Sequence, residues 1–271
     1  MRYTLALLEN LKDSIIVVGH PDDEILWFSS ILKRVGHIVL CYSDEMADPQ
    51  FGARRRKMVE DFPLKNTSTI GLSAVGVWRP QSFVSPSFNK YGIKLVGNDR
   101  LFTAHQKKYK ENYYDMRDRL PSILSGYRNV ITHNPWGEYG HEEHVQVYRV
   151  VCELQKELGY DIWYSGYCST RTMNLVDPST YITDAIILPT DVATAKNIME
   201  MYVDYGCWTW YTDWQWPMQE TFFKQGPDSD GFKAGKLVNL NLIMLPLVSR
   251  EKAAPHMNMY RRLKALIRNF L

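Results

Sequence analysis

Apolar residues in this chain fall into short unbroken runs separated by polar stretches of helical period. Ile15-Ile16-Val17-Val18-Gly19 is β-branched, short and bounded by polar residues, which is the pattern of a strand buried on both faces. Helical spacing then runs from Asp23 to about Arg34, with Pro21 suited to a first helical turn. His37–Tyr42 reads as a second strand, Ala53–Phe62 as a basic helix and Thr67–Leu72 as a third strand. Residues 77–97 mix Pro, Ser, Gly and aromatics without a period, the mark of an irregular insertion. Phe102–Leu124 predicts a polar helix interrupted at Pro121, and Arg128–Thr132 another buried strand. The helix that follows carries the apolar stripe Val147, Val150, Val151 and Leu154. Asp161–Tyr167 and Thr183–Leu188 read as strands, and Asp191 as the cap of a helix to about Tyr205. This alternation predicts an α/β fold, a doubly wound, mostly parallel sheet with helices on both faces. We expect one domain over 1–271. Its core is about 10–190, and about 191–271 forms a C-terminal accessory layer. That layer holds the tryptophan-rich Cys207–Trp216, a turn-rich Gly226–Gly235, a strand Lys236–Leu245 and a basic helix Met257–Leu271.

Composition narrows the class. A chain of 271 residues with 45% hydrophobic and 23% charged residues suits an ordinary globule, and a net charge of +2 does not suggest a nucleic-acid binder. The four cysteines form no CxxC pair, so neither a disulfide framework nor a thiolate metal site is expected. Leu5-Ala6-Leu7-Leu8 is too short for a signal peptide, and no later run approaches a membrane span, so the expected location is cytoplasmic.

The chemistry gathers at two places. His20-Pro21-Asp22-Asp23-Glu24 occupies the turn between the first strand and its helix, the edge where open α/β sheets bind ligands. First-turn carboxylates on their own can simply complement a helix dipole, at about 0.3–1 kcal/mol each. Three of them beside an imidazole repel one another, and a bound cation relieves that repulsion better. His141 and His144 lie three apart at the start of the later helix, on one face and at another strand's carboxyl edge. Position 145 is valine, so this is not the HExxH zinc motif. Two histidines and a carboxylate with an open position match a catalytic zinc shell.

His20-Pro21-Asp22-Asp23-Glu24 after a buried strand, together with Gly137-Glu138-Tyr139-Gly140-His141-x-x-His144, resembles the PIG-L/LmbE family of zinc-dependent N-deacetylases. The resemblance covers roughly residues 13–190. It implies a Rossmann-like fold and removal of the acetyl group from N-acetylglucosamine units on lipids, thiol conjugates, saccharides or antibiotics. By the same resemblance His20, Asp23 and His144 are the ligands of one zinc per chain, and Asp22 is the general base. His141 becomes the second catalytic residue, which we expect to act as a cationic acid and electrophile. The family's substrate-contacting arginine falls among Arg54, Arg55 and Arg56, and the sequence leaves all three open. His133 and Glu138 lie near the site by sequence and receive no role. We expect the substrate's sugar ring beside zinc, with the rest of the conjugate running over 79–97 and over Trp210 and Trp214. Two alternatives are a metal-dependent amide hydrolase on an antibiotic or nucleoside precursor, and a non-catalytic sugar- or nucleotide-binding module. The second lacks the GxGxxG turn it would need after the first strand.

Overall fold

The computed structural model describes residues 11–76, 78–176, 182–226 and 239–245. Its centre is a seven-stranded sheet. In chain order the strands are β1 (Ser14–Val18), β2 (His37–Leu40), β3 (Thr67–Thr69), β4 (Asn129–Thr132), β5 (Asp161–Ser165), β6 (Ile182–Pro189) and β7 (Gln219–Gln225). They stand side by side as β6-β7-β5-β4-β1-β2-β3. The five from β5 to β3 are parallel, and β7 runs antiparallel to both neighbours. Strand order reverses between β1 and β4, whose carboxyl ends therefore bound a crevice.

The period-two alternation of β1 divides the core. Ile16 and Val18 face a cluster containing α2 (Pro49–Glu60), α5 (Val192–Asp204) and the tryptophan-rich stretch. Ile15 and Val17 face α3 (Phe102–Leu124) and α4 (Glu142–Leu158). Both faces are covered, as the unbroken apolar run implies. Pro121 lies inside α3, which continues through it to Leu124.

The structure differs from the sequence reading at three points. The helix after β1, α1, spans only Asp23–Trp27. In a longer helix the Ser29 N–H would bond the Ile25 carbonyl. Instead Ser29 and Ser30 donate to the Glu220 carboxylate at 3.2 and 2.8 Å, and the Trp216 indole takes the Ile25 carbonyl at 2.6 Å. Groups about 190 residues away thus end α1. Secondly, β7 lies within the sheet between β5 and the edge strand β6, so the C-terminal region supplies an interior strand as well as an outer layer. Thirdly, the insertion contains a short hairpin, Phe88–Asn89 with Gly92–Ile93, that buries Ile93. Of the expected C-terminal strand, Asn241–Ile243 is observed, paired with Tyr167–Ser169. The expected Met257–Leu271 helix, most of Gly226–Gly235 and the apolar run at Leu5–Leu8 lie outside the described residues. All four cysteines are free, and no helix among the described residues is long and apolar enough to cross a membrane.

Candidate active site

The crevice between β1 and β4 collects four imidazoles. His20 follows β1, His133 follows β4, and His141 and His144 lie at the N-terminus of α4. Asp23, the first residue of α1, sits among them. Its Oδ2 is 3.3 Å from His20 Nδ1, its Oδ1 is 3.2 Å from His144 Nε2, and the Trp27 indole donates to Oδ1 at 3.0 Å. Two sets of metal-competent side chains overlap here, His20–His141–His144 and Asp23–His133–His144, each with ligand atoms within 4.8 Å of one another.

Hydrogen bonds decide which ring nitrogens keep a lone pair for a cation. The Glu143 carboxylate accepts from His20 Nε2 at 2.8 Å, which leaves Nδ1 unprotonated and facing Asp23. Glu138 accepts from His144 Nδ1 at 2.7 Å, which leaves Nε2 buried, without a hydrogen bond and likewise facing Asp23. These are carboxylate–histidine pairs of the kind that orient metal ligands. By contrast, the Gly19 N–H donates to His133 Nε2 at 2.8 Å and the Glu143 N–H donates to His141 Nδ1 at 3.2 Å. Those lone pairs are already used. The side chains with a donor atom left for a metal are therefore His20, Asp23 and His144, a combination drawn from both sets, with two nitrogens and an anionic oxygen of the kind that suits zinc. The bond to Nδ1 leaves Nε2 as the His141 nitrogen that can carry a proton toward the cavity.

Electrostatics agree with a cation at this point. Burial alone would keep His20 and His144 neutral, but the carboxylates of Asp23, Glu143 and Glu138 outweigh it and raise both rings. Burial likewise opposes ionisation of Asp23, yet His144, His133 and His20 hold it well below the carboxylate range. Against burial, His133 and His144 hold Glu138 down to about 2. The same carboxylates draw His133 up to about 9, whereas the Gly19 N–H requires a lone pair on Nε2. The Gly19 bond leaves the His133 proton on Nδ1, toward Glu138 3.0 Å away. Such a cluster attracts positive charge, and a divalent ion supplies it while the imidazoles stay neutral.

Asp22 differs from its neighbour. Burial and then the adjacent Asp23 raise it to about 6, against the guanidinium of Arg55. Its backbone is left-handed at φ 113°, and the other non-glycine residue with positive φ among those described is Glu138 at φ 50°. Both strained positions belong to this site.

The cavity at Asp22 and Asp23 holds about 160 Å³ and is also lined by Arg55, Glu45, Phe51, Trp78, Tyr139 and Trp210. A larger cavity of about 510 Å³ lies beside Asp161, Thr183 and Lys224. Asp161 opens β5, so that cavity is at the amino edge of the parallel strands, away from the imidazoles. The three candidate arginines separate clearly. Arg55 is 3% exposed and lines the cavity, while Arg54 donates to the Gly206 carbonyl and Arg56 pairs with Asp44 at 2.5 Å. Trp210 lines the cavity, whereas Trp214 packs edge-on against Trp27 and Trp210. Sequence reasoning gave no role to Glu138, Glu143, Glu45, Trp78 or Thr209. Only Glu138 and Glu143 carried a signal, as carboxylates inside the second motif.

No family model matches the chain. It is 23% identical over 158 residues to a 1D-myo-inositol 2-acetamido-2-deoxy-alpha-D-glucopyranoside deacetylase of Corynebacterium diphtheriae, covering 51% of this chain and 50% of that one. It is 22% identical over 166 residues to an uncharacterized protein of Acanthamoeba polyphaga mimivirus, covering 57% and 63%. The chain thus spans half to less than two thirds of the length of these relatives. In fold it is similar to the zinc-inhibited form of a teicoplanin deacetylase, with TM-score 0.51 and 13% identity over 80% of this chain and all of that one. Two motifs meeting at one sheet edge, a curated deacetylase relative and this shared fold are consistent with a PIG-L/LmbE-type deacetylase.

Proposed function

We propose that this protein is a zinc-dependent N-deacetylase that hydrolyses the acetamide of an N-acetylglucosamine-type sugar conjugate. The observation that carries the reading is the convergence of two carboxylate-oriented imidazole lone pairs on Asp23, with a second, higher-pKa carboxylate, Asp22, opening on the same cavity. The relative that deacetylates a 2-acetamido-2-deoxyglucoside supports the substrate class. A divalent ion on His20, Asp23 and His144 would polarise the acetamide carbonyl and the attacking water.

The chain's own groups do the rest. Asp22 accepts the proton of the attacking water, and a carboxyl near 6 is ionised at neutral pH yet basic enough for that task. The same proton is then available to the departing amine. His141 presents its Nε2–H to the oxygen on which negative charge develops. Arg55 and Glu45 offer a donor and an acceptor to ring hydroxyls, while Trp78 and Trp210 offer faces to the ring's C–H edges. At about 160 Å³ the cavity takes the acetamide and part of the ring, so the remainder of a conjugate extends outside.

The test is amine and acetate release across N-acetylglucosamine and its lipid, inositol, saccharide and glycopeptide conjugates, before and after treatment with a chelator. Release that is lost on chelation and restored by one equivalent of zinc is expected. Chelator-resistant release, or none from any member of the panel, overturns the proposal.

A further inference from the structure

The segment around Cys207–Trp216 is attached to the catalytic turn at three successive points. Tyr202, at the end of α5, donates its hydroxyl to Glu24 Oε1 at 2.8 Å, and its carbonyl accepts the N–H groups of Cys207 and Trp208. Trp216 donates to the Ile25 carbonyl. Between them Thr209 gives both its donors to one oxygen of Asp22, the hydroxyl at 2.5 Å and the backbone N–H at 3.2 Å, both to Oδ2. Among the described residues no hydrogen bond engages Asp22 Oδ1.

A carboxylate oxygen has two lone pairs in its plane, and here both on Oδ2 are engaged. The Asp22 carboxylate is therefore held in one rotamer with Oδ1 as its remaining acceptor, on a residue that lines the cavity. The backbone of Asp22, left-handed with its N–H donating to Glu24 Oε2 at 2.9 Å, leaves the carboxylate to be fixed by side-chain contacts. Charge-assisted bonds from a group fixed elsewhere in the fold remove the remaining freedom.

We infer that Thr209 is a positioning residue for the general base: it fixes the Asp22 carboxylate and reserves Oδ1 for the water's proton. The inference deepens the deacetylase reading and, for its kinetic part, rests on it. It gives the C-terminal segment a second task besides meeting substrate. The proton-accepting geometry of the first motif is completed by a residue 187 positions away.

The experiment compares wild type with Thr209→Val, which removes the hydroxyl at nearly constant shape, and Thr209→Ser, which keeps it. On whichever conjugate wild type turns over, Thr209→Val is expected to lose about 10–100-fold in kcat, as for a small misplacement of a reacting group. KM, bound zinc per chain and Tm should be unchanged, and Thr209→Ser should recover most of the rate. Thr209→Val with kcat within about threefold of wild type, or Thr209→Ser as impaired as Thr209→Val, overturns the inference. Crystal structures of wild type and Thr209→Val decide the same question without turnover. Asp22 is expected in one rotamer in the first and in several in the second, and one unchanged rotamer in both overturns it. An inactive wild type with these two conformational outcomes would sink the deacetylase reading alone.

Discussion

The floor and the rim of the cavity are finished to different degrees. On the floor, His20 and His144 each have one nitrogen held by a carboxylate and the other aimed at Asp23, and Glu138 also accepts from Ser165 and from the Asn134 N–H. On the rim, Arg55 reaches Glu45 only at 3.5 Å, and its buried Nε has no hydrogen bond. The Trp210 indole N–H is buried without a partner as well. An unmet buried donor costs about 1–3 kcal/mol. The floor is thus organised before anything binds, and its unmet atom, His144 Nε2, is an acceptor that a cation would satisfy, whereas the rim holds donors that an oxygen-rich ligand would satisfy. This is the division expected where an ion is resident and a substrate is transient.

The largest expected effect comes from Asp22, the proposed base on the floor. Asp22→Asn keeps the shape and cannot accept a proton, so kcat should fall about 10²–10⁴-fold with one zinc still bound. Near-normal turnover in a zinc-loaded variant would remove Asp22 from the role, and loss of zinc would make it a ligand. Next is Glu138→Gln. With the amide unable to hold the His144 Nδ1 proton as a carboxylate does, zinc affinity should drop about 10–100-fold. Competition titration against a chromophoric chelator measures this, and an unchanged Kd would mean that Glu138 serves only the fold of its loop.

How much of this contrast was legible in the sequence follows from distance along the chain. The buried run of β1 and the residues His20–Glu24 are contiguous, so strand, turn and donor types could be read together. The length of α1 could not, because Trp216 and Glu220 end it from the far side of the chain. Likewise Thr209 carries no local pattern that points to Asp22. Strand β7, Gln219–Gln225, has only Phe222 and Phe223 as apolar residues, too few for a period to stand out. Among Arg54, Arg55 and Arg56 the sequence offers three equal side chains. Each step of about 100° around α2 sends them to a carbonyl, the cavity and the surface in turn.

A rim substitution should show a smaller effect and a different kinetic signature. Arg55→Met keeps a long stem against Phe51, where the guanidinium now stacks at 4.6 Å, and removes the donors. KM is expected to rise about tenfold, the loss of a hydrogen bond from a charged group. A pH profile sharpens the point. Asp22 must be ionised to act, so the rate is lost as pH falls through its pKa, which sits at about 6 with Arg55 helping to lower it. Without Arg55 that acid limb should move to higher pH. An unmoved limb with unchanged KM would detach Arg55 from both substrate and base.

The smallest effects separate the two tryptophans. Trp210 lines the cavity with its ring centroid 4.7 Å from that of Tyr139, whereas Trp214 packs behind it, edge-on to Trp210 at 5.8 Å and to Trp27 at 6.1 Å. A ring that meets a ligand and a ring that supports it should fail differently. Trp210→Leu is expected to lower kcat/KM for a conjugate by about two- to tenfold, the worth of one aromatic contact. Trp214→Leu should lower Tm while leaving kcat/KM within about twofold, because the lost packing is against the core rather than at the substrate. Measuring both variants on the bare sugar and on one conjugate gives the discriminating ratio. If Trp214→Leu shifts that ratio as far as Trp210→Leu does, the line drawn here between lining and supporting rings is in the wrong place, and the rim extends one layer deeper into the tryptophan cluster.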